Sequence, residues 1–466
     1  MIKNLAIVFI FITICGETLC QSNLPVLKST QDKVSVRDGD MFHKNAWYIS
    51  PSVRPDVFET EVTNAKNVSF ITDLDSISFH VQAGGIYDFI ILLNEKDSAY
   101  TRIQAIEFKE PAVFSNEYIQ EHDGKTFVEI PEVHELMNVI FALTETGRND
   151  RDIVETGSQY YGKVLKEFKQ FENDLLVKKI DSLLRMGSYF QLKMDSYAYE
   201  FDDNNQIMKS KVYDRLSWGK SNRVAPYVNL LQDFADKTNF RRFYKENEET
   251  YDQQIKCYQD TLKIKEMQKW LNKNFPSTQY NSFKIVFSPL VSGNQSANWF
   301  ENNGFKEAQV HVNFPYPFGN WLRGLSPEAA MVRKGDIVFT ELNHAFINPE
   351  AEKPIYRSKI DSALNNLDYW IEQGKPSSNY NSAYSCFNEY MNWGMVSLRY
   401  LDFAPKNEQE LMLGRIEEFM TNGRGFTRFK DFNQFLIKTY RNRNENQSIA
   451  DIYPKIVGWF MEQSIK

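Results

Sequence analysis

The stretch Asp336-Ile-Val-Phe-Thr-Glu-Leu-Asn-His-Ala-Phe-Ile-Asn-Pro349 has the pattern of an amphipathic helix with both a start signal and a stop signal. Asp336 follows Gly335 and is a favoured N-cap residue, and Pro349 predicts the end of the helix. With about 100° of rotation per residue, one side of the helix carries a common stripe: Ile337, Thr340, Glu341, His344 and Asn348. Glu341 and His344 are therefore expected to point in the same direction.

This stripe differs at one position from the His-Glu-x-x-His pattern, in which two histidines one turn apart bind zinc and the glutamate activates the bound water. Thr340 stands where the first histidine would be, so the helix supplies one imidazole and one carboxylate. Glu-x-x-His alone is a short and common pattern. The alternative is that Glu341 is a solvated helix carboxylate and His344 a hydrogen-bonded core histidine.

The composition is that of a folded globular protein, with 42% apolar and 14% aromatic residues among 466. This length predicts two or three domains. The formal charge of -7 is spread along the chain and gives no reason to expect a nucleic-acid partner. After residue 20, no stretch approaches about 18 continuous apolar residues, so no membrane span is expected.

Residues 1–20 have the pattern of a secretory signal peptide, with Lys3 before an apolar run and a mature chain beginning near Gln21. Cys15 and Cys20 leave lipid anchoring as an alternative. Bulky residues precede both cysteines where a lipid-attachment site needs a small one, so soluble export to the periplasm or the extracellular space ranks above it.

The predicted fold class is α+β, in three regions after the leader. Residues 21–115 contain short β-branched and aromatic runs typical of a small antiparallel β-module. Residues 116–280 are mainly helical, beginning with a helix over about 131–146. Residues 281–466 contain strands at 283–291 and 308–314, a loop at 292–304, the motif helix, and helices at 355–373, 383–400, 408–420, 429–440 and 450–461.

The first of these helices contains a second near-match, His134-Glu135-Leu136-Met137-Asn138, in which an asparagine replaces the second histidine. We interpret this segment as structural.

Several short motifs in a fixed order resemble one known family: residues 130–136 and 142–145, Tyr160-Tyr161, residues 287–291 and 341–349, Asn388-Glu389-Tyr390, Gly425-Phe426, and Ile452-Tyr453-Pro454. The chain is similar over roughly residues 130–463 to exported bacterial proteins of the domain-of-unknown-function kind. Members of this family are regarded as zinc metallopeptidases because they carry His-Glu-Phe-x-His followed by Asn-Pro.

The resemblance implies a gluzincin-like site, with two histidines on one helix and a glutamate on a later helix. Carried over to this chain, His344 matches the second histidine ligand, Glu341 the general base, and Glu389 the downstream carboxylate ligand. An acidic residue on the mostly apolar face of a helix needs a partner, such as a metal, Arg399 or His344. The alternative is that Glu389 belongs to an ordinary ion pair.

Thr340 is the departure from the family pattern, and it should weaken zinc binding strongly. His311 is the other histidine in this region, and its spacing does not require it to reach the site. If Glu341 were instead a ligand, two carboxylates and one imidazole would suit a harder divalent metal than zinc.

Three functions remain open. The first is an exported metallopeptidase-like hydrolase, in which Glu341 deprotonates water on zinc or another divalent metal held by His344 and Glu389. The second is a metal-free pseudo-peptidase that binds a peptide or a surface partner through a cleft and nearby aromatic residues: Trp299, Phe300, Tyr316, Phe318 and Trp321. The third is a carbohydrate-binding accessory protein. The sequence gives no indication of oligomeric state.

Overall fold

The computed structural model describes residues 24–51, 53–317 and 320–464 of the chain. The predicted signal peptide and Phe318 lie outside these residues. The chain divides into two compact units, Met1–Lys109 and Glu110–Lys466. The first is rich in strands and the second is mainly helical with small sheets, which confirms the predicted α+β class. Within the described residues, no helix is both long and apolar enough to cross a membrane.

The first unit contains two four-stranded sheets, in the orders β1-β7-β8-β4 and β3-β2-β5-β6. Its strands are β1 Val26–Ser29, β2 Lys33–Asp38, β3 Met41–Tyr48, β4 Asp56–Val62, β5 Ala65–Ile71, β6 Ser76–Gln82, β7 Ile86–Leu93 and β8 Asp97–Glu107. The expectation of a purely antiparallel module is wrong, because β1 pairs with β7 and β4 with β8 in parallel. Alternating apolar residues predict a strand but not the direction of its neighbour.

The second unit alternates helices with a few strands. Its first half comprises α1 Asn116–His122, β9 Lys125–Glu129, α2 Glu132–Leu143, α3 Glu145–Asn149, α4 Gln159–Phe168, α5 Leu175–Arg185, α6 Tyr189–Asp195, β10 Tyr199–Phe201, β11 Ile207–Lys209, α7 Val228–Thr238, α8 Phe240–Glu246, α9 Glu248–Lys256 and α10 Ile264–Asn274. Its second half comprises β12 Ser282–Ser288, β13 Ser296–Asn302, β14 Phe305–Asn313, α11 Pro327–Lys334, α12 Asp336–Ala351, α13 Pro354–Ala363, α14 Ala383–Phe403, α15 Gln409–Glu418, α16 Phe429–Arg441 and α17 Ile449–Gln463.

A four-stranded sheet of order β13-β14-β12-β9 joins the two halves of this unit, and the predicted division at residue 281 falls within it. Strand β12 is parallel to both β9 and β14, and β13 is antiparallel to β14. The expected loop over 292–304 is therefore wrong in part, because it contains β13. Three consecutive residues of β13 are half-buried, so buried and exposed side chains do not alternate along it. The strand therefore lacks the alternation of apolar and polar residues by which strands are predicted.

Most helices predicted after the motif lie close to their expected bounds, but two predicted helices differ. The segment at 355–373 is helical only to Ala363 before a short 3-10 turn. The helix predicted over 131–146 ends at Leu143, because the Thr144 side chain accepts a hydrogen bond from Gly147 N and starts α3. In this second case a capping side chain ends one helix and begins the next.

The motif helix α12 begins differently from the prediction. Gly335 is the N-cap and Asp336 is the first helical residue. The Asp336 carboxylate is 5% exposed, lies 3.3 Å from Arg399 Nη1, and accepts a hydrogen bond from the Tyr400 hydroxyl. A side chain on Gly335 would place its Cβ 2.7 Å from Arg399 Nη2, so the glycine leaves room for the guanidinium. Asp336 is thus a buried ion-pair partner of α14 and not a helix cap.

The end of α12 also differs, since the helix continues past Pro349 to Ala351. A proline inside a helix leaves the carbonyl four residues earlier without its amide donor. That carbonyl belongs to Ala345, and the Tyr280 hydroxyl donates to it at 2.6 Å. A tertiary hydrogen bond therefore replaces the missing helical one, which local sequence rules do not include.

We expect Asp336→Asn to destabilise the protein by about 2 to 3 kcal/mol, the range for losing a hydrogen-bonded charge. Asparagine caps helices as well as aspartate does, so a capping role predicts almost no change. The matched control is Asp174→Asn, because Asp174 caps α5 by accepting from Leu176 N at 2.9 Å and its partly exposed ion pair with Lys237 contributes little. Urea unfolding of both variants measures the difference. Equal, small effects would contradict the ion-pair role.

Candidate functional site

Helices α12 and α14 pack together and bring the three predicted site residues to one place. His344 Nε2 lies 3.9 Å from Glu389 Oε2. Both charges also act on Glu341, which is on the same side of α12 as His344. Glu389 is buried, whereas Glu341 and His344 are partly exposed. The site therefore lies at the edge of the helical core, where a ligand could reach two of its three residues.

Glu389 is held by a cation that the sequence did not predict. Arg424 Nη1 donates a hydrogen bond to Glu389 Oε1, and Trp393 Nε1 donates to the same oxygen at 3.0 Å. Burial opposes ionisation of Glu389, but the Arg424 guanidinium and then His344 hold the pKa of the carboxyl below its ordinary value. Glu389 is thus an ionised carboxylate paired with arginine. The predicted partner Arg399 is wrong, because that residue pairs with Asp336.

The backbone around Arg424 fixes this guanidinium in place. A π-helical turn, Phe419–Gly423, follows α15 and ends directly before Arg424. The Arg424 carbonyl accepts a hydrogen bond from Ser377 N at 2.8 Å. Gly425 has a φ of +86°, and a Cβ there would lie 2.8 Å from the Cβ of Lys375. Only glycine fits this close approach without strain, so the loop holds its arginine firmly.

The second nitrogen of that guanidinium reaches across the site to a tyrosine. Arg424 Nη2 donates to the Tyr380 hydroxyl at 2.8 Å, and the guanidinium also lies against the rings of Trp393 and Phe426. A planar cation bound at both ends and stacked on aromatic faces has little freedom to leave. The surrounding residues therefore hold Arg424 in the position where it pairs with Glu389.

The His344 ring is held by two asparagine side chains. Asn392 Nδ2 donates to His344 Nε2 at 2.9 Å, which leaves His344 Nδ1 as the donor to Asn348 Oδ1 at 3.1 Å. Asn343 Nδ2 in turn donates to Asn392 Oδ1 at 3.1 Å. A metal would need the lone pair on Nε2, which this network already uses.

Thr340 cannot replace the missing histidine ligand in this arrangement. It is 3% exposed, and its hydroxyl donates to the Ile337 carbonyl at 2.7 Å within α12. Hydroxyls of serine and threonine commonly bond back to their own helix in this way. The Thr340 hydroxyl is therefore bonded to the backbone of its own helix.

Lys193 is a second basic residue near the site, close enough for its charge to interact with that of Glu341. It lies on α6, is wholly buried, and donates to the Asn294 carbonyl at 2.7 Å. Burial lowers the pKa of Lys193 to about 7, and the charge of Glu341 opposes this change. Burial likewise raises the pKa of Glu341 above its ordinary value. Lys193 and Glu341 therefore influence each other electrostatically, while the Lys193 ammonium group donates to backbone carbonyls.

The residues present do not fit a divalent metal. Among residues 24–51, 53–317 and 320–464, no group of three or more histidine, cysteine, aspartate or glutamate side chains is arranged to hold a metal ion. The Arg424 charge beside Glu389 would repel a metal, and His344 Nε2 is already hydrogen-bonded. His311 does not complete the set, since it lies wholly buried against His134 with ring centroids 5.5 Å apart.

Sequence reasoning placed Glu341, His344 and Glu389 but missed Arg424, Asn392 and Lys193. Asn392 lies one helical turn after Glu389, so a stripe drawn through α14 could have found it. Lys193 has one apolar neighbour on each side, Leu192 and Met194, and the flanking Gln191 and Asp195 hide any signal of a buried charge. For Arg424 the available signal is its position between Gly423 and Gly425.

A family model described as a domain of unknown function, DUF4932, matches residues 127–459. This span includes all the residues of the site. No curated protein and no solved structure matches the chain.

Proposed function

The chain belongs to the DUF4932 family of domains of unknown function, and from that premise we propose that its peptidase-like site binds a peptide or protein segment without a catalytic metal. The observation that carries this proposal is the Arg424 guanidinium on Glu389, where a metallopeptidase would need its divalent ion. An arginine is always charged at physiological pH, so this pair does not depend on metal supply.

A partner in extended conformation is supported by the edge of the sheet beside α12. Strand β13 stands at the end of the order β13-β14-β12-β9, and in the described chain its outer edge pairs with no other strand. Ala297, Asn298 and Trp299 of this strand are half-buried. An unpaired strand edge can add a peptide as a further strand, with neighbouring side chains giving selectivity.

Hydrolysis by metal-bound water is the second candidate. It is favoured by the meeting of Glu341, His344 and Glu389 in the order that the resemblance implies. In that function Glu341 would act as the base, and the Arg424 guanidinium would have to leave Glu389 for a metal to bind there. The two candidates differ in whether peptide bonds are broken.

The test exposes the full mature chain, with zinc added, to a mixture of proteome-derived peptides. Mass spectrometry then measures both the peptides retained by the protein and any new termini. We expect retained peptides without new termini, and weaker retention by Trp299→Ala than by the control Phe403→Ala, an exposed aromatic residue on α14.

New termini that disappear in Glu341→Gln would overturn the binding proposal in favour of hydrolysis. Equal retention by Trp299→Ala and Phe403→Ala would show that β13 is not the contact, and absence of any retained peptide would overturn binding itself. Circular dichroism of each variant verifies that the fold is intact.

A further inference from the structure

An open cavity of about 520 Å³ lies between the start of α2, strand β10 and helices α8 and α9, away from the residues of the proposed site. Its twelve lining residues include no lysine, arginine or histidine. Five of them are acidic: Glu129, Glu132, Glu200, Glu248 and Asp252. Its volume is in the usual range for small-molecule sites.

Most of this negative charge has no counter-charge. Glu132 pairs with Arg241 at 3.0 Å, and Glu129 accepts a hydrogen bond from the Tyr197 hydroxyl. Within the described residues, the other three acids of the cavity have no ion pair. Three carboxylates around one cavity create a negative potential that attracts a cation from solution.

The other seven lining residues are four aromatic and three aliphatic ones, and such a surface favours an organic cation over a metal ion. Tyr199, Phe201, Tyr244 and Tyr251 line the cavity. The rings of Tyr244 and Tyr251 are 4.8 Å apart, and the Arg241 guanidinium already lies over Phe201 with 5.0 Å from its Cζ to the ring centroid. Aromatic faces attract ammonium and guanidinium groups and also cover their methylene chains.

A buried hydrogen-bonded chain lies behind this wall and holds Tyr251 in position. Tyr251 exchanges a hydrogen bond of 2.5 Å with Tyr160, whose hydroxyl donates to Glu135 Oε1 at 2.7 Å. Glu135 is wholly buried, and within the described chain its second oxygen has no hydrogen-bond partner of normal geometry. Because burial raises the pKa of Glu135 to about 8, this carboxyl is mostly protonated at neutral pH, and the negative charge of the cavity comes from its own lining residues.

We propose that this cavity binds an alkylammonium or guanidinium group, either of a free amine or of a lysine or arginine side chain in a polypeptide. The exposed acids Glu248 and Asp252 supply charge at the rim, and the aromatic residues supply the contact surface. This site does not depend on the function proposed for Glu341, His344 and Glu389.

The test is isothermal titration calorimetry of the full mature chain with two probes at one ionic strength. One probe is 1,5-diaminopentane, and the other is the blocked tripeptide Gly-Lys-Gly. The cavity variant is Glu248→Gln with Asp252→Asn. Its control is Glu145→Gln with Glu249→Gln, which removes the same charge from exposed positions that do not line the cavity. Phe201→Leu removes an aromatic face.

We expect the cavity variant to bind the probes about tenfold more weakly and Phe201→Leu to weaken binding as well, with the control close to wild type. Binding of both probes identifies a basic side chain as an accepted ligand, and binding of the diamine alone identifies a free amine. No binding of either probe would overturn the proposal. An equal loss in the cavity and control variants would also overturn it, because general acidity would then explain the attraction.

Discussion

Replacing Arg424 with methionine is expected to destabilise the protein by about 3 to 5 kcal/mol, the usual result of removing one partner of a buried ion pair. Glu389 would keep its hydrogen bond from Trp393 but would lose the cation that stabilises its ionised form. The loss includes the stacking of the guanidinium on Tyr380, Trp393 and Phe426. Urea unfolding at neutral pH measures this effect.

Two further variants separate the charge from the packing. Arg357→Met breaks an exposed pair with Asp361 and should cost under about 1 kcal/mol. The double variant Arg424→Met with Glu389→Met removes both charges of this pair, so it should recover much of the stability lost in the single variant. A single-variant loss no larger than that of Arg357→Met would contradict the role given to Arg424.

The second large effect concerns Glu135 and pH. Burial raises the pKa of Glu135 from 4.5 to about 8, against the smaller opposing effects of Ser288 and Tyr160. The folded state therefore keeps the proton while the unfolded state loses it. The contribution of Glu135 to the free energy of unfolding is most favourable below pH 4.5 and is lost as the pH rises toward 8. About 3.5 pKa units correspond to roughly 4 to 5 kcal/mol.

Glu135→Gln should remove this dependence, because the amide stays neutral and its oxygen can still accept from Tyr160. The variant should match the wild type near pH 5 and exceed it in unfolding free energy at pH 8 by up to about 4 kcal/mol. Urea unfolding at pH 5, 6.5 and 8 measures the difference. Glu145→Gln, a change at an exposed glutamate of α3, is the control. Parallel pH profiles for wild type and Glu135→Gln would show that the Glu135 carboxyl does not titrate as described.

Of the two residues in these predictions, one was singled out in the sequence and the other was not. Glu135 belongs to the near-match over residues 134–138, and its place in a wholly buried helix agrees with the structural interpretation of that segment. Arg424 was not singled out at all. The difference follows from distance along the chain, because Arg424 acts on a glutamate 35 residues earlier. Periodicity within one helix contains no information on such contacts.

The same limit explains the ends of α12. Its helical nature and the shared direction of Glu341 and His344 follow from the spacing of apolar residues, and the structure has both. The roles expected of Asp336 and Pro349 followed from local capping and stop rules. Arg399 and Tyr280, both distant in sequence, override these rules by pairing with Asp336 and by binding the Ala345 carbonyl.

The sequence predicted the three residues of the site but not the side chains with which they interact. Glu389 needed a buried partner, and the structure supplies arginine instead of a metal. The side chains of Asn392 and Asn348 then hydrogen-bond both ring nitrogens of His344. Thr340, His344 and Glu389 thus each have hydrogen-bond partners within the protein.

The most direct test is the zinc content of purified protein comprising residues 21–466 after incubation with excess zinc and desalting, with Glu389→Ala and His344→Ala measured beside it. We expect substoichiometric zinc at the same low level in all three proteins, since Arg424 and Asn392 occupy the groups a metal would need. About one zinc ion per wild-type chain that disappears in both variants would contradict it, and would mean that the site holds a metal despite Thr340.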